Sequence, residues 1–180
     1  MLKNLSVSIF MVAATASPFV FADSFTSNQT GGNLKSIITM TVNTPTCVIQ
    51  PYDQHIDFQR ITTAELLNES RNLTANISFE CETTPAGISL EVSPVRGYNV
   101  VSGQPGVIES TLIGAGFKLH WGKGSSVGTE NQPVDYNTHL TLPAARISNI
   151  NLVITPVSIK GLNVTSGESQ THVNLTINYS

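Results

Sequence analysis

Polar and apolar residues alternate along most of this chain. In "NLTANISFEC" (72–81), Leu73, Ala75, Ile77, Phe79 and Cys81 share one parity, and Asn72, Thr74, Asn76, Ser78 and Glu80 share the other. A period of two puts successive side chains on opposite faces of a strand, so this segment reads as a half-buried β-strand with Cys81 in its core set. The same period recurs in "ISLEV" (88–92) through Ile88, Leu90 and Val92, and in "GFKLHWG" (116–122) through Phe117, Leu119 and Trp121. "HIDFQRI" (55–61) places Ile56 and Phe58 together, and "HLTLP" (139–143) offers Leu140 and Leu142. "INLVITPVSI" (150–159) is apolar on both parities, as a central strand would be. Near the start, Leu34, Ile38, Met40 and Val42 share a parity with Ser36 as a gap, and Pro45 ends or bends that strand. At the other end Val173, Leu175, Ile177 and Tyr179 alternate with His172, Asn174, Thr176, Asn178 and Ser180, so the chain stops inside a strand. Only "TTAELLNES" (62–70) has the makings of a helical turn.

Between these segments lie "TTPAG", "VRGYNVVSGQPG", "GKGSSVGTENQP" and "NVTSGES", rich in the Gly, Pro, Asn and Ser that let a strand reverse. Seven or eight short strands with almost no helix predict a single β-sandwich domain in 180 residues. Composition agrees. Charged residues are 12% of the chain, so Ser, Thr and Asn carry the polar face, which suits strands better than helix surfaces.

The first residues change the cellular picture. "MLKNLSVSIFMVAATASPFVFADSF" opens with Lys3, runs apolar from Leu5 to Ala16 and offers Val20-Phe21-Ala22 to a signal peptidase. This predicts a secretory signal cut after Ala22; a membrane anchor is the weaker alternative, because the run is short and broken by Pro18. Cleavage removes Lys3 and no acid, taking the net charge from −3 to −4. With no basic stripe, nothing points to nucleic acid. In an exported chain, Cys47 and Cys81 are expected to form one disulfide; the alternative is two free buried thiols.

A secreted sandwich with one disulfide suggests an immunoglobulin domain, but antibody-type domains carry a core Trp between their cysteines. Here the single Trp121 follows both. Three features together instead resemble a pilus subunit (pilin) of the chaperone–usher class, and "GFKLHWGKG" (116–124) looks like the mid-domain strand and turn of minor, tip-region pilins. An export signal is followed by an alternating extension and a cysteine, "NLKSIITMTVNTPTCVI". A second cysteine ends a strand, "NISFEC". The chain closes on an alternating strand with an aromatic next to last and a glycine, Gly167, fourteenth from the end.

The resemblance implies an all-β, immunoglobulin-like sandwich that lacks its last strand and is completed by a donor strand from a partner subunit or a chaperone. It implies the division 1–22 signal peptide, 23–44 N-terminal extension and donor strand running into the first strand, and 45–180 pilin domain. Leu34, Ile38, Met40 and Val42 would be donor-strand residues. Gly167, Val173, Leu175, Ile177, Tyr179 and Ser180 would belong to the groove-edge strand that a periplasmic chaperone grasps, with the Ser180 carboxylate meeting basic residues of that chaperone. An outer-membrane usher, neighbouring subunits and, through the assembled pilus, a host surface are the implied partners. Residues would pass through the periplasm to a fimbrium on the cell surface. One departure stands out: family donor strands usually carry a glycine about seven residues before the first cysteine, where this chain has Met40.

No catalytic residue, metal site or cofactor is expected. His55, His120, His139 and His172 form no tight ligand pair in sequence, "HID" (55–57) lacks a nucleophile elbow, and "GKGSS" (122–126) follows a strand without the spacing of a phosphate loop. Two other functions compete with a structural pilin. One is an adhesin binding host glycans through the loops at 94–113 and 122–139. The other is a secreted immunoglobulin-like domain of a eukaryote, glycosylated at some of the Asn-x-Ser/Thr triplets that begin at Asn28, Asn68, Asn72, Asn76, Asn163, Asn174 and Asn178.

Overall fold

The computed structural model describes residues 31–42 and 47–179. The expected signal peptide, the lead-in to residue 30, Pro45 and Ser180 lie outside the described residues. Among the described residues, ten strands and one short helix follow in chain order. They are β1 (Gly31–Val42), β2 (Cys47–Gln50), β3 (Asp53–Thr62), α1 (Thr63–Leu67), β4 (Leu73–Cys81) and β5 (Ile88–Pro94). Then come β6 (Val107–Glu109), β7 (Ala115–Trp121), β8 (His139–Leu142), β9 (Ile147–Ser158) and β10 (Ser169–Tyr179).

The strands form two five-stranded sheets, ordered β3-β1-β10-β5-β8 and β2-β4-β9-β7-β6. All pairs are antiparallel except β1 with β10, which run parallel. The core lies between the sheets and collects the apolar parities read from the sequence: Ala75, Ile77 and Phe79 from β4, Leu90 and Val92 from β5, Phe117 and Leu119 from β7, and Leu152 and Ile154 from β9. Phe58 of one sheet meets Phe117 of the other with ring centroids 6.0 Å apart. Strand β9 is central, as its two apolar faces required. Pairing with β4 ends at Ile154, so Pro156, which cannot donate a ladder hydrogen bond, falls where only β7 lies alongside.

Local chemistry adjusts the simple alternation in three places. Gln59 takes a left-handed φ of 56°, with its N–H donating to Asp57 Oδ1 at 2.7 Å. The register of β1 against β3 shifts opposite this point, and the resulting bulge lets both Phe58 and Ile61 face inward although they are three residues apart. The helical turn at 62–70 contracts to α1 and is held by a capping box. In it, Glu65 N–H donates to Thr62 Oγ1 (3.2 Å), and the Thr62 N–H (2.8 Å) and hydroxyl (2.9 Å) donate to Glu65 Oε2, which holds the Glu65 carboxyl below its ordinary pKa. Leu73, expected inside with the rest of its parity, is 40% exposed, because it opens the strand at the end of the sheet.

Candidate functional site: a groove one strand wide

The site grows from the two walls that flank β1. One wall is β10. Its inward residues are Ser169, Thr171, Val173, Leu175 and Ile177, all buried, and its far side is held by β5 in antiparallel register, Val173 opposite Pro94, Leu175 opposite Val92 and Ile177 opposite Leu90. The other wall is β3, which contributes the buried Ile56, Phe58 and Ile61. These walls are not neighbours: β1 lies between them. Adjacent strands are spaced by about 4.8 Å, so without β1 the sheet has a gap of one strand between two unpaired edges, floored by core side chains.

Strand β1 occupies that gap, and its register matters. Leu34, Ile38, Met40 and Val42 stand opposite Ser169, Val173, Leu175 and Ile177 of β10. On its other side β1 pairs from Gly31 opposite Thr62 to Thr39 opposite Asp53, so Met40 and Val42 are paired by β10 alone. Three of the four expected donor residues, Ile38, Met40 and Val42, stand opposite expected groove-edge residues, while Leu34 stands opposite Ser169, which the sequence reading did not include. The sequence reading kept this edge of β10 for a strand of another molecule; in the single chain, residues 31–42 of the same chain lie along it. Four residues separate β1 from β2, so the strand has a high local concentration at the gap.

The remaining expected site residues fall as follows. Cys47 and Cys81 are directly opposite in β2 and β4 and form a disulfide, both buried. Gly167 sits just before β10, where a Cβ would come 3.2 Å from Leu112 Cδ1. Tyr179 closes the ladder opposite Ile88. His172 lies against the ring of Tyr98, with centroids 5.4 Å apart. Burial lowers its pKa below the ordinary histidine value; His55 and Lys35 lower it further and Asp53 opposes them. The short strands β2 and β6 were not read from the sequence, and β6 lies within the stretch taken as a binding loop.

That stretch and the loop at 122–139 are largely committed to packing. Val107, Ile108, Val127 and Val134 are buried, and the second loop runs back along β7, with Asn131 N–H donating to Trp121 O (2.8 Å) and Val134 N–H to Leu119 O (3.0 Å). Among the described residues no group of three or more His, Cys, Asp or Glu is placed to hold a metal ion, and no helix is long and apolar enough to cross a membrane.

Comparisons with known proteins bear on this geometry. The family model described as "Fimbrial protein" matches residues 36–180. The chain is 24% identical over 159 residues to Protein FanG of Escherichia coli, covering 82% of this chain and 87% of that protein. Its fold is similar to the crystal structure of the P pilus rod subunit PapA, with a TM-score of 0.56 at 14% identity, covering 76% of this chain and all of that one. The two-sheet sandwich is thus the immunoglobulin-like fold of pilins. The chain belongs to the fimbrial protein family and is a structural subunit of a pilus on the cell surface, not an enzyme.

Proposed function

We propose that this subunit is assembled by donor-strand exchange, with residues 31–42 as the donor and the gap between β3 and β10 as the acceptor. One observation carries the reading. The segment that alternates like a donor is seated in the one-strand gap, with Ile38, Met40 and Val42 opposite Val173, Leu175 and Ile177. A segment able to fill this gap in its own chain has the pattern to fill the same gap in a neighbour, and strand addition to an open sheet edge is an established binding mode.

In this reading residues 1–22 direct export, a periplasmic chaperone first occupies the gap, and an outer-membrane usher hands the subunit on. The extension 23–44 then leaves for the next subunit, and the domain 45–180 accepts a strand in turn. Met40 at the position where a glycine is usual suits a specialised junction, so the chain acts as a minor or adapter subunit.

Deletion of residues 31–42 tests this. The deleted chain should be recovered only with a chaperone, and a synthetic peptide of residues 31–42 should restore a stable monomer with a cooperative unfolding transition. A deleted chain that is stable alone and ignores the peptide would overturn the reading.

A further inference from the structure

The seam around β1 is poorly satisfied. Among the described residues five buried side-chain polar atoms have no hydrogen-bond partner, and three of them line this seam: Ser36 Oγ on β1, Ser169 Oγ on β10 and Gln54 Oε1 on β3. Ser36 is fully buried and stands opposite Thr171 on one side and Ile56 on the other. The Thr171 hydroxyl donates to Glu109 O at 2.9 Å and makes no hydrogen bond with Ser36, and the Ile56 side chain has nothing polar to offer. A buried hydroxyl without a partner bears its full desolvation cost, whereas in a released segment it is hydrated. The parallel β1–β10 ladder is also the less stable kind of pairing per residue. Beside Ser169 a surface cleft of about 710 Å³, lined by Lys35, Asp57 and Gln170 among others, opens onto the end where β1 enters.

We propose that Ser36 makes the chain's own strand the replaceable occupant of its groove, and that a strand of a second pilus subunit with a glycine or small apolar residue at this row displaces it. This rests on the exchange reading above. It assigns Ser36 a role outside the apolar donor positions: it limits how firmly the chain can satisfy itself. Displacement starts at the Ser36–Ser169 end, where the cleft admits the incoming strand, and runs toward Val42, which only β10 holds.

The test uses the purified exported chain as wild type, Ser36→Ala and Ser36→Asp. Opening of the seam is read from hydrogen exchange of the β1 amides. Capture is read by native mass spectrometry with a synthetic peptide of residues 31–42 that carries Ser36→Gly. Ser36→Ala removes the unpartnered hydroxyl and should slow opening and weaken peptide capture, each about tenfold. Ser36→Asp buries a carboxylate and should speed both. Unchanged or faster opening in Ser36→Ala would overturn the assignment of Ser36, whatever the peptide does. Slower opening with no capture by any variant would uphold Ser36 as the weak point and sink the exchange reading.

Discussion

Removing the disulfide should cost this domain a large part of its stability, and the structure says where the damage begins. The bond closes a sequence separation of 34 residues, for which the loss of unfolded-chain entropy is worth about 4 kcal/mol. Strand β2 is an edge strand of four residues paired only with β4, and of its residues only Cys47 is buried; Val48 is 59% exposed. Little but the disulfide pins it. Two residues further on β3 begins, which is a wall of the groove, so loosening β2 should loosen β3. The variant to make is Cys47→Ala/Cys81→Ala, not the serine pair. Two serine hydroxyls at these buried positions would add about 1–3 kcal/mol each of unpaired polar burial and mix two effects. With an unfolding slope of about 2 kcal/mol per molar urea, 4 kcal/mol moves the midpoint down by roughly 2 M. Against a total of about 5–15 kcal/mol for a domain, that leaves a protein prone to unfold. Hydrogen exchange should rise first in β2 and then in β3. A midpoint shift of less than about 0.5 M with an unchanged slope would refute both the magnitude and the structural role.

Three further outcomes are expected. Gly128→Ala should destabilise by about 3 kcal/mol in urea unfolding, because Gly128 has φ +71° and a Cβ there would overlap the indole of Trp121; Gly161→Ala, at φ +82° but facing open space, should cost only about 1 kcal/mol, and equal effects would refute the clash. In the exchange reading proposed above, deleting Asn178-Tyr179-Ser180 removes the β10 positions opposite Ser89 and Ile88 and should abolish co-purification with a chaperone while export continues, whereas His172→Ala, on the Tyr98 face, should leave capture intact; capture of the truncated chain at the wild-type level would refute this. Burial lowers the pKa of both His120 and His172, so the unfolded chain binds their protons more readily than the folded one. Stability should therefore fall as pH drops through the unfolded histidine value of about 6.5 and level off below the folded values. The urea midpoint should be lower at pH 5.5 than at 7.5, and His120→Gln/His172→Gln should flatten that difference.

What the sequence made legible was what alternation encodes. Strands β4, β5, β7, β9 and β10 each hold one apolar parity long enough to read, and the cysteines mark one pair directly. Strands β2 and β6, of four and three residues, are too short to show a period. Ile61 faces inward only because Gln59 adopts a left-handed conformation, which no apolar count foretells. The α1 capping box was present as Thr62 and Glu65, three residues apart, and could have fixed the helix start. The parities of β1 and β10 were legible, while their donor and groove roles came only from the resemblance; their meeting within one chain was not foreseen. Alternation fits a strand equally well to its own groove and to another, and only chain connectivity decides between them.

That connectivity has a consequence for the physics of assembly. In the proposed exchange, donor and acceptor are different surfaces of one polypeptide, so a contact between copies is heterologous; unless its rotation closes a ring, it propagates head to tail into a filament. The tether of four residues between β1 and β2 competes with every such contact. A short link gives its segment an effective concentration in the millimolar range, far above that of any free subunit in dilute solution. Left alone, the chain should terminate its own polymer at a length of one. Filament growth then becomes a matter of kinetics. It proceeds only where something holds residues 31–42 away from their own groove until a neighbour's arrive at comparable local concentration.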